Sequence, residues 1–280
     1  MSLINSIKRN GNKILSSVER SKAYLSSAGL FKESRYNKIK QFKNIHKGER
    51  AFIIGNGPSL NNMDLSYLNN EITFASNSFF LMLKEIDFVP SYYNVEDPLP
   101  AEDNSRELKN LKGTTKIFAH DLAYCLGNDA NTHYVFFDRY YEKFPSKNFP
   151  KFSTNAVKKV YWGGTVAYMS IQLAYYMGIR EMYLIGVDLN YDIPDSHDSG
   201  TVITSKEDDK NHFHPSYFGK GKRWHLPRVE RMEHSFLFAD HFLKQNGGNL
   251  YNATVGGKLD SLERKNYKQL FDLNTAKVRA

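Results

Sequence analysis

Arg50-Ala51-Phe52-Ile53-Ile54-Gly55-Asn56-Gly57-Pro58-Ser59-Leu60 is the stretch on which the fold turns. Four apolar residues in a row, too few for a helix and closed by two glycines and a proline, read as a strand buried on both faces, as in a parallel sheet. The same pattern recurs downstream in short β-rich runs at 72–76, 88–93, 116–119, 134–137 and 181–185, with a late run at 249–251. Residues 165–177 place Val166, Met169, Leu173 and Met177 on one helical face, and Gly178 stands where a C-cap is expected. Another helix is expected over 229–244, before the pair Gly247-Gly248. Strands alternating with helices predict an α/β fold: a Rossmann-like, mostly parallel sheet with helices on both faces.

With 280 residues and 41% hydrophobic content the chain can fill a sizeable core. It has no run of eighteen apolar residues, and its first ten residues are polar where a signal peptide would be apolar, so a cytoplasmic protein is expected. The single cysteine, Cys125, excludes an intrachain disulfide and a cysteine-built zinc site. The net charge of +8 is unevenly placed: residues 1–50 hold 12 of the 38 Lys/Arg and 3 of the 30 Asp/Glu, leaving 26 basic and 27 acidic residues for the rest. The basic character therefore belongs to an N-terminal extension. No nucleic-acid motif accompanies it, so no nucleic-acid partner is expected.

Two parts follow: a basic, amphipathic helical extension over 1–49 and a Rossmann-like catalytic domain over 50–280. In the extension Leu3, Ile7, Ile14, Val18 and Leu25 form an apolar stripe among Lys8, Arg9, Lys13, Arg20 and Lys22. Such a face suits peripheral contact with the inner surface of a membrane, or packing on the chain's own domain or a second subunit, through residues 1–30. The polar stretch 190–223 is long for a connection and is expected to be a lid over the site.

Four sets of residues carry possible chemistry. Gly55, Asn56, Gly57 and Ser59 form a turn that would bring backbone amides to a phosphate or ribose, although a tight strand-to-helix turn has the same composition. It is neither a GxGxxG fingerprint nor a Walker A loop. Gly164 and Thr165 open the 165–177 helix, where Thr165 either caps the helix or bonds a phosphate. Asn77 and Asn94 stand at strand ends, where an amide reads a base or a sugar hydroxyl, or merely makes a turn. The lid holds His212, His214 and His225 with Tyr191 and Tyr217, candidates for a general base and for stabilising a departing phosphate. The His-x-His spacing lacks a third ligand, and Asp188 is either a structural acceptor or, with Asp192 and Asp195, a magnesium candidate.

Taken in order, the blocks 52–60, Ser76-Asn77-Ser78, Tyr93-Asn94, Gly164-Thr165 and 183–188 resemble the bacterial sialyltransferases of glycosyltransferase family 42. With 251–259 added, they resemble still more the Rossmann-like domain shared by Maf flagellin glycosyltransferases and MptE-like 6-hydroxymethylpterin diphosphokinases, over about residues 50–272. The sialyltransferase resemblance implies that Asn56, Asn77, Asn94 and the Gly164-Thr165 turn surround a CMP-sugar donor, that His225, with His214 as rival, is the base, and that the inverting displacement needs no metal or other cofactor. The sialyltransferases carry an arginine before the Ser/Thr-Gly turn where this chain has Trp162-Gly163, and a tyrosine two residues past the strand end where it has Asn190, followed by Tyr191.

The expected function is transfer of a sugar from a nucleotide-sugar, CMP-activated in preference, to a glycan or glycoprotein acceptor at the bacterial surface. Two alternatives stay open: an MptE-like diphosphokinase using Mg-ATP, and a non-catalytic nucleotide-binding assembly partner.

Overall fold

The computed structural model describes residues 16–32, 34–139, 141, 147–192 and 202–271. Seven strands form one sheet: β1 (Arg50–Ile54), β2 (Ile72–Ser76), β3 (Tyr92–Val95), β4 (Thr115–Ala119), β5 (Thr132–Val135), β8 (Glu181–Ile185) and β11 (Asn249–Asn252). Two small sheets pair β6 (Phe137–Asp138) with β7 (Val160–Tyr161), and β9 (Val202–Thr204) with β10 (Arg223–His225). The main sheet runs β11-β8-β1-β2-β3-β4-β5 with every pair parallel. Its central strands are sealed on both faces, which is why they read as continuous apolar runs and not as alternations. Lys116, buried in β4, is tolerated because its Nζ reaches Asp129 Oδ2 at 2.5 Å.

The chain lays down β1 to β5 in one direction, then returns past β1 to add β8 and β11 on its other side. The reversal between β1 and β8 makes a crevice at the carboxyl ends of these strands, the place where open α/β sheets take ligands. The returning segment is helix α5 (Val166–Tyr176), capped by Thr165 and packed on β1, β2 and β3. Before it come α1 (Ser16–Ser27), α2 (Pro98–Asp103), α3 (Ser105–Asn110) and α4 (Ala123–Leu126). After it, α6 (Val229–Gln245) packs on α5 and β11. The β1–β2 and β2–β3 crossovers use only 3-10 turns.

The strand expected at 88–93 begins instead at Tyr92: Pro90 has no N–H to give a ladder. The run at 134–137 divides between β5 and β6. Residues 35–42 form a 3-10 helix whose Tyr36, Ile39 and Phe42 enter the same core as the sheet, so packing runs across the boundary expected at 49. Of the apolar stripe, Val18 and Leu25 are exposed, while Leu3, Ile7 and Ile14 lie outside the described residues. No helix among the described residues is long and apolar enough to cross a membrane.

Candidate functional site

A cleft of about 1000 Å³ opens over the carboxyl ends of β8, β1, β2, β3 and β4. Gly55, Asn56, Gly57, Asn77, Gly164, Thr165, Asp188, Tyr191, Tyr217 and His225 line it; Ser59, Asn94 and His214 do not.

Three of the amides in and after the Gly55–Gly57 turn are spent inside the protein. Gly55 N–H donates to Ile185 O (2.7 Å), Gly57 N–H to Gly186 O (2.8 Å) and Ser59 N–H to Asp188 Oδ2 (3.2 Å). These donors are used to fasten β1 to the end of β8. Gly57 is required by that closeness: a Cβ there would stand 1.6 Å from Asp188 Oδ2. The buried Ser59 hydroxyl gives Asp188 a further bond at 3.0 Å, making Ser59 a clamp on Asp188. Burial raises the Asp188 pKa, and the two Ser59 bonds oppose the rise. The residue after it, Leu189, takes φ +48°, a backbone position costly for leucine and located at the cleft wall.

What the β1 and β2 ends offer the cleft is side-chain amide. Asn56 donates from Nδ2 to Ser76 Oγ (3.2 Å), while its Oδ1 is sealed from solvent without a donor among the described residues. Asn77, held at φ +52°, likewise has a buried Oδ1 without a donor there. Asparagine tolerates this left-handed backbone better than most residues, and Tyr93 fixes it by donating its hydroxyl to Asn77 O (2.8 Å).

Asn94, by contrast, is spent on structure. It is fully buried, its Nδ2 donates to Ile117 O (2.9 Å), and its Oδ1 accepts from Ser170 Oγ (2.9 Å), so it ties α5 to the sheet and leaves nothing for a ligand. Thr165 caps α5, its Oγ1 accepting from Ala167 N–H (3.3 Å), while its neighbour Gly164 takes φ +84° with the Arg231 side chain packed against it.

The segment expected to be a polar lid is anchored by two buried aromatics. Phe213 N–H donates to Asn56 O (3.0 Å), and Asn61 Nδ2 donates to Phe213 O (2.8 Å). Phe213 and Tyr217 are both buried. Tyr217 sits at the base of the cleft beside Asn77 and the Ser78 backbone, and burial raises its pKa far enough that it stays a neutral phenol. Burial, with the charges of Asp188 and Asp209, pushes Tyr191 up to about 12, so it too faces the cleft as a neutral donor. Residues 193–201, Asp195 among them, lie outside the described residues.

The three lid histidines separate. His225, on β10, lines the cleft with Nδ1 3.0 Å from Asp97 Oδ2. Asp97 is itself fixed, since its Oδ1 accepts from Leu99 N–H (2.9 Å) as the cap of α2. His214 stands away from the cleft, with Nε2 3.9 Å from Glu85 and Nδ1 accepting from Ser216 N–H. His212 lines the cleft, stacked on Tyr217 at 3.9 Å, with Nδ1 2.7 Å from Asp209 Oδ2.

Sequence reasoning missed Glu96, His120, Asp121 and Arg139, all on the cleft wall beyond β3 and β4. Their signal was available, because each follows a strand of a parallel sheet at its carboxyl end. Arg139 joins Glu96 (2.7 Å) to Asp121 (2.6 Å). Burial raises Glu96 to about 7 against the pull of Arg139, and burial lowers His120 to about 4. Among the described residues no group of three or more His, Cys, Asp or Glu is arranged to hold a metal ion.

A comparison with curated proteins finds no match. Among solved structures, the chain is similar to the Maf glycosyltransferase from Magnetospirillum magneticum AMB-1, with 14% identity and a TM-score of 0.48 over 87% of this chain. It spans 40% of the length of that protein. It is also similar to the sialyltransferase CstII from Campylobacter jejuni, solved in complex with a substrate analogue, cytidine-5'-monophosphate, with 16% identity and a TM-score of 0.45 over 78% of this chain and 85% of that one. The family model described as 6-hydroxymethylpterin diphosphokinase MptE-like matches residues 23–194, and the chain belongs to this MptE-like family.

Proposed function

We propose that the protein is a transferase that takes a nucleotide-activated sugar, CMP-activated in preference, and passes the sugar to a hydroxyl-bearing acceptor. The observation that carries this is the pair of buried amide oxygens, Asn56 Oδ1 and Asn77 Oδ1, that lack donors among the described residues at the adjoining ends of β1 and β2. A buried acceptor without a donor is costly, and a ligand bearing N–H or O–H groups relieves that cost. The exocyclic amine of cytosine and the hydroxyls of ribose are such groups.

In the proposed step, His225, oriented by Asp97, takes the proton of the acceptor hydroxyl. The freed oxygen pair forms the bond to the anomeric carbon, and the bond from that carbon to the donor phosphate breaks, with its electrons leaving on the phosphate. Tyr191, a neutral phenol, supports the departing oxygen by donating a hydrogen bond. The step calls on no metal ion.

Membership of the MptE-like family favours a second reading, transfer of pyrophosphate from Mg-ATP to a hydroxymethyl group. The same amide pair accepts from the adenine amine. Thermal shifts with CMP, CDP, UDP, GDP and ATP, each with magnesium and with chelator, separate the two. Stabilisation by CMP that survives chelation, together with slow CMP-sugar hydrolysis abolished in His225→Ala, is the expected result. A response confined to Mg-ATP would replace the first reading with the second.

A further inference from the structure

The imidazole of His120 follows β4 on the cleft wall and is 94% buried, with 6% of its surface exposed. Its Nδ1 accepts from Phe137 N–H at 3.1 Å, which fixes the tautomer: in the neutral ring the proton must be on Nε2. That Nε2–H is sealed from solvent and finds no acceptor among the described residues. Phe136 packs against the ring, with centroids 4.6 Å apart. A fixed, neutral, buried donor without an acceptor among the described residues is unusual enough to call for an occupant.

Position and surroundings narrow what the occupant is. The amides of Asn56 and Asn77 follow β1 and β2, and His120 follows β4, two or three strand spacings away, roughly 10–15 Å. His225 and Asp97 meet at the end of β3, between them. The β4 end also holds the carboxylates of Glu96, Asp121 and Asp138, kept in place by Arg139 and Lys159. Arg20 adds a third cation, 3.6 Å from Asp138 Oδ1, so the acids and bases of this wall balance and it presents no net charge to an ion of either sign. A neutral ligand with many hydroxyls is well suited: its O–H groups donate to the carboxylates, and one of its oxygens accepts from Nε2–H.

We propose that the β4 end of the cleft is the acceptor subsite, and that His120 Nε2–H is its donor to an oxygen of a neutral sugar. This assignment rests on the transferase reading above, and it places the acceptor on the far side of His225 from the nucleotide.

The test uses the full chain labelled with ¹⁵N-histidine, titrated in turn with CMP and with lactose, maltose and N-acetyllactosamine. The His120 Nε2–H resonance moves with at least one of the three sugars and stays in place with CMP. His120→Asn keeps an acceptor for Phe137 N–H but loses Nε2–H, so it weakens binding of the responding sugar at least tenfold and leaves CMP affinity within twofold. A His120 resonance indifferent to all three sugars, as a resident water alone would leave it, overturns the proposal, and so does equal weakening of sugar and CMP. If His120→Asn does not fold, the wild-type titration alone decides. Sugar contact at His120 in a chain that binds no nucleotide would sink the transferase reading and leave a sugar site standing.

Discussion

At the residue scale, asparagines with the same local signature do different work. Asn56, Asn77 and Asn94 each stand at or near the carboxyl end of a short strand, yet Asn94 has both ends of its amide satisfied inside the protein, while the other two each keep an oxygen without a donor among the described residues. Asn94→Ala should therefore destabilise the fold by about 1–3 kcal/mol, measured by denaturant unfolding, and leave nucleotide affinity unchanged. Asn56→Ala should do the reverse, weakening nucleotide binding about tenfold with a small effect on stability. Gly57 belongs to the same scale. Gly57→Ala must displace Asp188 and should cost about 1–3 kcal/mol, seen as a lowered unfolding midpoint.

At the element scale, one carboxylate gathers the polar contacts between α1 and the segment that follows it. Glu19 accepts from Tyr36 Oη (2.6 Å), Arg35 (2.9 Å) and Lys22 (2.9 Å), which joins the helix to the 3-10 turn beside β5. Burial works to raise the Glu19 pKa, but the bonds from Tyr36, Lys22 and Arg35 outweigh it and bring the group down to about 2 from 4.5. A depressed carboxyl stabilises the fold above its unfolded pKa, and that stability is lost as pH falls through the folded value. Glu19→Gln should thus lower stability at pH 7 by about 1–2 kcal/mol, once solvent screening is allowed for, and the difference should close between pH 4.5 and 2. Unfolding midpoints across that range check it. The lid makes a related point about elements. Residues 190–223 look polar and aperiodic, but the two aromatics Phe213 and Tyr217 pin the described part across the β1 and β2 ends. Two anchors are too few to give a periodic signal.

At the scale of the whole molecule, the cleft exists because all seven strands of the main sheet run parallel and so bring their carboxyl ends to one edge. A ligand that binds only the folded chain stabilises all of it. At a hundredfold excess over its dissociation constant the gain is about 2.7 kcal/mol, which for a chain of this size raises the melting temperature by roughly 5 °C. A nucleotide that meets the Asn56 and Asn77 oxygens should produce that shift in calorimetry, and an Asn56→Ala, Asn77→Ala double variant should lose most of it.

Strand identity was legible in the sequence because it depends on local properties. A strand buried on both faces needs an unbroken apolar run, and a chain that turns sharply beside another strand end needs glycine, so 51–54, 72–76 and 181–185 were readable by themselves. The Asp97–His225 and Asp209–His212 pairings, the employment of Asn94 by Ser170 and the His120 donor left without an acceptor among the described residues were not. Asp97 and His225 lie 128 residues apart, and Asn94 and Ser170 lie 76 apart. Nothing near either member of such a pair in the chain records its partner. Tertiary structure decided these roles, because parallel register and the reversal at β1 set which strand ends share a wall, and a polar group's role depends on whether that wall supplies it with a partner.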